Sequence, residues 1–215
     1  YSDKALEIDS SIAEGYIAKA SVYLYYEWKW QEAYDCLQHA LKLNPGAIEA
    51  YEMLGFYYIV TGQKEKAVQI LEEADKILYM HPRMRASIEM KGWAIGMNGD
   101  WATALPLFEE VHRLTNHPLK GLMGLSIAYA KLGETEKAMD CIRKMEQRAA
   151  EEPHAVIDAD LAAAWYAIGD LDKAFYHLEQ CAVKRMGPIS FFIEFPSYRG
   201  IKDMPRYQEL MKRMG

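Results

Sequence analysis

The chain has 215 residues, of which 51% are apolar and 26% are charged, a composition typical of a folded domain with a buried core. No apolar run approaches the roughly 18 residues of a membrane-spanning helix, and the first residues lack the features of a signal peptide. The formal charge of −6 opposes contact with a phosphate backbone, so we expect no membrane partner and no nucleic-acid partner for this segment.

The charge is unevenly distributed along the chain. From Ala182 onward there are seven Lys and Arg against three Asp and Glu, a local charge of +4, which leaves −10 for the residues before it. The three cysteines, Cys36, Cys141 and Cys181, are too far apart for a redox pair or a metal knuckle. They predict buried, reduced thiols and a cytoplasmic location.

A glycine followed five residues later by an alanine recurs along the chain, first at Gly62 and Ala67. Trp28 takes the place of the glycine in the earliest copy. The alanines stand 34 to 37 residues apart and are Ala33, Ala67, Ala104, Ala138 and Ala174. A repeat of this length predicts an array of similar structural units.

Other positions repeat with the same period. Seven residues before each turn the residue is small: Ser21, Gly55, Gly92, Ser126 and Ala162. Four residues after each alanine it is large and apolar: Leu37, Leu71, Phe108, Ile142 and Leu178. The spacing predicts two antiparallel helices per repeat, joined by a turn whose glycine adopts the left-handed conformation. Small residues would let the two helices approach closely.

This pattern resembles the tetratricopeptide repeat family. The resemblance implies an all-α fold, a right-handed α–α superhelix with a C-terminal capping helix. It implies a half-repeat at 1–13, five repeats over 14–186 with approximate bounds 14–47, 48–84, 85–118, 119–154 and 155–186, and an extension with the capping helix over 187–215. Because the chain starts within a repeat, we expect that it was cut from a longer protein.

Three residues depart from the family pattern. Lys91 and Asp158 occupy positions of the first helix that are usually apolar. Pro106 lies inside the second helix of the third repeat, where the loss of a backbone hydrogen bond predicts a kink.

Two segments resemble a narrower group of bacterial signalling proteins that join these repeats to an effector domain. They are Trp28-Lys29-Trp30 in the first turn and the C-terminal run from Met204 to Met211. The effector of that group is typically a winged-helix DNA-binding domain, a nucleotide cyclase or a kinase. The resemblance implies a regulatory role in signal transduction or transcription regulation.

The first helices of such a solenoid line its concave side, where this chain supplies an apolar and aromatic track with several carboxylates. We predict a surface for a peptide with apolar anchors and some positive charge. Its candidate residues are Val22, Tyr25, Tyr26, Glu49, Glu52, Phe56, Ile59, Glu89, Trp93, Met97, Ile127 and Tyr166. Asp160 adds a further carboxylate on that side. The alternative is that many of the aromatic residues pack in the interior.

The family's carboxylate clamp for chaperone tails needs lysine, asparagine and arginine at set groove positions. Ala18, Val22 and Met53 stand at such positions here, so this mode of binding is not expected.

No pattern in the sequence supports catalysis. Six histidines are scattered without ligand spacing on one helix, and neither a glycine-rich phosphate loop nor a nucleophile elbow occurs. We therefore predict no catalytic residue, no metal site and no cofactor.

The sequence favours a protein-interaction scaffold whose partner is a protein, a peptide or the protein's own effector domain. A self-association or autoinhibitory module is the second interpretation, because a basic tail could contact the acidic body of another copy and form a homodimer. A small-molecule sensor or enzyme fragment is the third.

Overall fold

The computed structural model describes residues 12–27, 29–78, 84–115, 119–151, 157–183 and 200–214. Within these ranges the regular secondary structure is helical and no strand occurs. The chain divides into two compact units, Tyr1–Ala94 and Ile95–Gly215. Most of the half-repeat predicted at 1–13 lies outside the described residues, as do Trp28 and the first part of the predicted extension.

The described part of the first unit contains four α-helices and most of a fifth. They are α1 (Ala13–Val22), α2 (Trp30–Leu43), α3 (Ile48–Val60), α4 (Lys64–Leu78) and α5 (Met84–Gly96), whose last two residues belong to the second unit. Helix α1 packs against α2, both contact α3, and α3 pairs with α4. The described part of this unit is therefore built from successive antiparallel helix pairs.

The second unit continues the same construction. Its helices are α6 (Trp101–Leu114), α7 (Leu122–Lys131), α8 (Thr135–Glu151), α9 (Asp158–Ile168), α10 (Leu171–Val183) and α11 (Pro205–Met214). Helix α7 packs against α6, α8 and α9, α9 pairs with α10, and α10 contacts α11.

The predicted turn glycines adopt the left-handed conformation, which confirms the prediction. Their φ angles are positive at all four turns: 77° at Gly62, 98° at Gly99, 80° at Gly133 and 96° at Gly169. Two of the turns continue with an aspartate that caps the next helix. Asp100 Oδ1 accepts a hydrogen bond from the Thr103 amide at 3.1 Å, as an N-cap residue does.

The first repeat ends its first helix differently. Where the other turns carry glycine, this one carries Trp28, and the preceding residues Tyr23–Glu27 form a π-helix. The Lys29 amide donates to the Tyr23 carbonyl at 3.0 Å across this wider turn. A residue with a side chain disfavours the left-handed conformation, so a wider turn ends the helix instead.

The signature alanines and Gly55 are packed in the interior of the helix array. All five signature alanines are fully buried, together with the apolar residues four positions later. A Cβ atom on Gly55 would stand only 2.8 Å from Leu71 Cδ2. The close approach predicted from the sequence is therefore present in the α3–α4 pair.

A lysine side chain lies over an aromatic ring of the first helix in three repeats. The distances from Nζ to the ring centroid are 5.7 Å for Lys66 and Tyr58, 5.2 Å for Lys137 and Tyr129, and 3.7 Å for Lys173 and Trp165. Each lysine directly precedes a signature alanine. A cation over the face of an aromatic ring stabilises the contact between the two helices.

Two of the departures from the family pattern have partners. Lys91 on α5 forms an ion pair with Asp75 on α4. Asp158 is buried at the start of α9, and its Oδ1 lies 2.9 Å from His177 Nδ1 on α10. A buried charge needs such a partner to be tolerated. Pro106 is exposed within α6, which continues to Leu114; the kink stays a prediction.

The C-terminal capping helix is present from Pro205, as predicted. Ile201, Tyr207 and Leu210 are buried. Arg206 lies 4.7 Å from the Phe175 ring, with its guanidinium 3.1 Å from Asp172 and 3.2 Å from Glu179 on α10.

The most severe close approach generates a test of the packing. A Cβ atom on Gly124 of α7 would stand 2.3 Å from Phe108 Cδ1 of α6. We expect Gly124→Ala to lower the free energy of unfolding by about 1–3 kcal/mol, since the ring must move. Denaturant unfolding measures this change.

Gly46→Ala is the matched control, because the nearest atom to a Cβ there is Asn44 Oδ1 at 3.4 Å. Adding Phe108→Leu to Gly124→Ala should cost less than the sum of the single changes. Additive losses would contradict the proposed clash.

Candidate peptide-binding groove

A groove lies between α1 and the beginning of α3 in the first unit, with a volume of about 310 Å³. Four of its residues, Glu14, Ile17, Ala18 and Ser21, are spaced three and four positions apart and therefore share one face of α1. The nine residues that line the groove are Glu14, Ile17, Ala18, Ser21, Asn44, Gly46, Ala47, Glu49 and Met53. We call this feature the α1–α3 groove.

Local hydrogen bonds hold the walls of the α1–α3 groove. The Ser21 hydroxyl donates to the Ala18 carbonyl at 2.7 Å, a bond back to its own helix. The Gly46 amide donates to Asn44 Oδ1 at 3.0 Å, and the Tyr51 hydroxyl donates to the Pro45 carbonyl at 3.2 Å. The loop between α2 and α3 is thus tied to itself and to α3.

The lining of the groove contains both apolar and acidic side chains. Ile17, Ala18 and Met53 are partly or largely accessible and supply apolar surface. Glu14 is exposed near the start of α1, and Glu49 is half-buried in the first turn of α3. The groove can therefore receive an apolar side chain beside negative charge.

The residues predicted for the concave surface of the first unit fall into two groups: some are exposed or half-buried, and others are buried. Val22 is 36% exposed, and Tyr25, Glu49, Glu52 and Glu89 are half-buried. The side chain of Tyr26 lies outside the described residues.

Phe56, Ile59 and Trp93 are buried, with 2%, 0% and 4% of their surface exposed. They form part of the interior and do not offer a surface to a partner. For Phe56 and Ile59 the reason is that α3 is apolar around most of its circumference and is covered by neighbouring helices. Such a helix is buried on more than one side.

The candidates of the second unit are also largely covered. Ile127 is 1% exposed, while Met97, Tyr166 and the acidic Asp160 are half-buried. A Cβ atom on Gly200 would stand 2.8 Å from the Tyr166 hydroxyl. The backbone that leads into α11 therefore lies against Tyr166.

Tyr25 connects the interior to the acidic part of the first unit. Its ring centroid lies 5.6 Å from that of Phe56. Burial, with a smaller contribution from the negative charge of Glu52, raises the pKa of Tyr25 to about 12. Its hydroxyl is consequently neutral at physiological pH.

A second depression, of about 210 Å³, lies in the second unit. It is lined by Leu119, Lys144, Gln147, Arg148 and Glu151. Most of these residues belong to α8, a second helix of its repeat, and Arg148 lies 3.6 Å from Glu151. The depression therefore does not belong to the predicted surface of first helices.

The described residues contain no group of three or more His, Cys, Asp and Glu arranged to hold a metal ion. The three histidines within the described ranges all have contacts: His39 packs against Tyr16 with 4.3 Å between ring centroids, His112 Nδ1 lies 2.9 Å from the Lys120 carbonyl, and His177 contacts Asp158. The cysteines are not in disulfides. None of the described helices combines the length and apolar character that crossing a membrane requires.

Comparison with known proteins shows which family these helix pairs resemble. Residues 48–77 match the family described as the tetratricopeptide repeat. The protein trd-1 of Caenorhabditis elegans, a tetratricopeptide repeat-containing protein, is 38% identical over 63 residues, which are 28% of this chain and 8% of that protein.

Solved structures resemble almost the whole chain. The structure of pilF from Pseudomonas aeruginosa gives a TM-score of 0.60 at 22% identity, covering 99% of this chain and 86% of that one. YrrB, described as a TPR protein with an unusual peptide-binding site, gives 0.52 at 19% identity, covering 89% and 96%. The chain has the tetratricopeptide-repeat (TPR) fold. The predicted fold class, an all-α TPR solenoid with a C-terminal capping helix, is confirmed.

Sequence reasoning missed several residues of the α1–α3 groove. Glu14, Ile17, Ser21 and Asn44 were not among the candidates, although three of them follow the spacing of one face of α1. Their exposure and spacing carried the signal. The Asn44 contact depends on the loop conformation, which the repeat pattern alone does not specify.

The raised pKa of Tyr25 predicts a pH dependence of stability. The neutral phenol is favoured in the folded state, so its contribution is complete below the unfolded pKa of about 10 and is lost as the pH rises towards 12. We expect wild-type stability to fall more steeply between pH 10 and 12 than that of Tyr25→Phe. Urea unfolding at several pH values measures the difference.

Tyr176→Phe provides the control, since Tyr176 is 55% exposed. It should retain the wild-type slope. An equal slope for Tyr25→Phe and wild type would contradict the role given to Tyr25.

Proposed function

We propose that this TPR chain is a non-catalytic protein-binding scaffold that receives a peptide segment of its partner in the α1–α3 groove. The observation that supports this proposal is the groove itself, with accessible apolar side chains from α1 and α3. Its walls are ordered by hydrogen bonds, so little conformational entropy would be lost on binding.

The TPR fold supports this assignment, because it is typical of protein–protein interaction. The related structure of YrrB is described as having a peptide-binding site, which makes a peptide a reasonable ligand here. Burial of Phe56, Ile59 and Ile127 restricts the proposed contact to the edge formed by α1 and the start of α3. The proposal therefore uses only part of the track predicted from the sequence.

At a finer level, we propose that the chain is the regulatory region of a larger bacterial signal-transduction or transcription-regulating protein in the cytoplasm. The resemblance at Trp28-Lys29-Trp30 and at the C-terminal run supports this role. The partner would be a separate protein or the protein's own effector domain. The sequence spacing of the three cysteines, too wide for a redox pair, supports a reducing compartment.

The structure bears on the alternative of a homodimer joined by its basic tail. Arg206, one of the tail's seven cations, contacts Asp172 and Glu179 of its own chain. This arginine already has carboxylate partners without a second copy. This contact within one chain favours the scaffold over a homodimer that would depend on the charge of Arg206.

Filling the α1–α3 groove tests the proposed function. Peptides selected on the wild-type chain from a displayed random library should bind Ala18→Trp at least about tenfold more weakly, because the indole occupies the apolar surface that they contact. Fluorescence polarisation with labelled peptides measures the affinity. Thermal unfolding checks that the variant is folded.

Ala150→Trp is the matched control, since Ala150 is exposed on α8 of the second unit. It should bind the same peptides with wild-type affinity. Selected peptides that bind Ala18→Trp as tightly as wild type would place their site elsewhere. A library that yields no binder would overturn the peptide-binding role.

A further inference from the structure

We infer that the α1–α3 groove selects a peptide in which a lysine or arginine adjoins an apolar side chain, and that it rejects acidic peptides. This inference rests on the proposed function and specifies its ligand. It depends on the arrangement of charge and apolar surface within the groove.

The charged residues in the groove lining are both acidic. Glu14 comes from α1 and Glu49 from α3, so negative charge borders the groove on both helices. The lysine of α1, Lys19, does not line the groove; its Nζ lies 5.8 Å from the Tyr23 ring centroid. A ligand cation would enter a region in which the lining contributes negative potential from two sides.

A further carboxylate extends the acidic region along α3. Glu52 follows Glu49 by three residues, which places it on a neighbouring part of the same helix surface. Its charge acts on Tyr25, whose pKa it helps to raise. Glu52 is therefore close enough to Tyr25, in the π-helix, for its charge to act on the phenol.

The apolar part of the lining determines what must accompany the cation. Ile17 and Ala18 of α1 and Met53 of α3 contribute apolar surface to the same groove as Glu14 and Glu49. A methionine side chain adapts to ligands of different shape. One apolar residue next to a basic one would therefore use both parts of the lining.

The lining also explains why an acidic ligand would be rejected. An anionic peptide would meet the carboxylates of Glu14 and Glu49, and none of the nine described lining residues is a lysine or an arginine. Like-charge contact is a device for excluding wrong partners. Since the groove is open to solvent, the preference should weaken as the salt concentration rises.

The experiment compares charge preference between matched variants. Each peptide selected on wild type is resynthesised with its basic residue replaced by glutamine or by glutamate, and all are measured in low salt. On wild type, we expect glutamine to weaken binding about two- to fivefold and glutamate to weaken it further, a range appropriate to partly exposed ion pairs.

The double variant Glu14→Gln, Glu49→Gln should reduce the preference for the basic peptide to less than about twofold. Glu136→Gln, Glu146→Gln is the control, because both residues are exposed on α8 and the change in net charge is the same. It should keep the wild-type preference. Ile17 and Met53 are unchanged in both, so apolar binding is retained.

The results separate the inference from the proposed function. Peptides that bind the groove with no preference for a basic residue would overturn the inference and leave peptide binding intact. If the two double variants changed the preference equally, the net charge of the chain would explain the preference. That result would also overturn the inference. Failure to obtain any groove-binding peptide would overturn both.

Discussion

The close approach of neighbouring helices is the constraint on which the rest of the structure depends. It is possible only where side chains are absent or small, as at Gly55 beside Leu71 and Gly124 beside Phe108. The fully buried alanines continue this constraint from repeat to repeat. Once the helices are this close, the large apolar residues on either side must interdigitate, which orders the interior. The contact sites, rather than helix propensity alone, then determine how each pair assembles.

The positions of several charged residues depend on the same packing. In the repeats with Tyr58, Tyr129 or Trp165, the residue before the signature alanine is a lysine that covers the ring. In the other two repeats the corresponding positions hold Leu24 with Glu32 and Ile95 with Thr103. Ring and cation therefore occur together within this chain. The pairs Lys91 with Asp75 and Asp158 with His177 extend the principle, because each polar residue at an apolar position meets a partner on another helix.

The repeated features of the fold could be predicted from the sequence, whereas much of the candidate site could not. Periodicity identified the turn glycines and the buried alanines, because both depend on local spacing, and the family resemblance implied the capping helix. Exposure of Phe56, Ile59 and Ile127 depends instead on how many neighbours cover a helix. The same spacing along a helix is compatible with a groove residue or with a core residue. In the structure, Phe56, Ile59 and Ile127 are all buried. The residues that accompany Glu49 in the groove come from α1 and from a loop, outside the repeated positions.

The burial of Phe56, Ile59 and Trp93 shapes what the first unit can recognise. A concave track of exposed rings would bind apolar segments through extensive contact and would discriminate weakly between charges. With the rings inside, the accessible lining of the α1–α3 groove is short and mixed, with apolar side chains between Glu14 and Glu49. A short apolar contact provides limited affinity, so a charged neighbour decides a larger share of the selectivity. The packing of α3 therefore contributes to the proposed preference, because it removes Phe56 and Ile59 from the surface and leaves Glu49 in the groove lining.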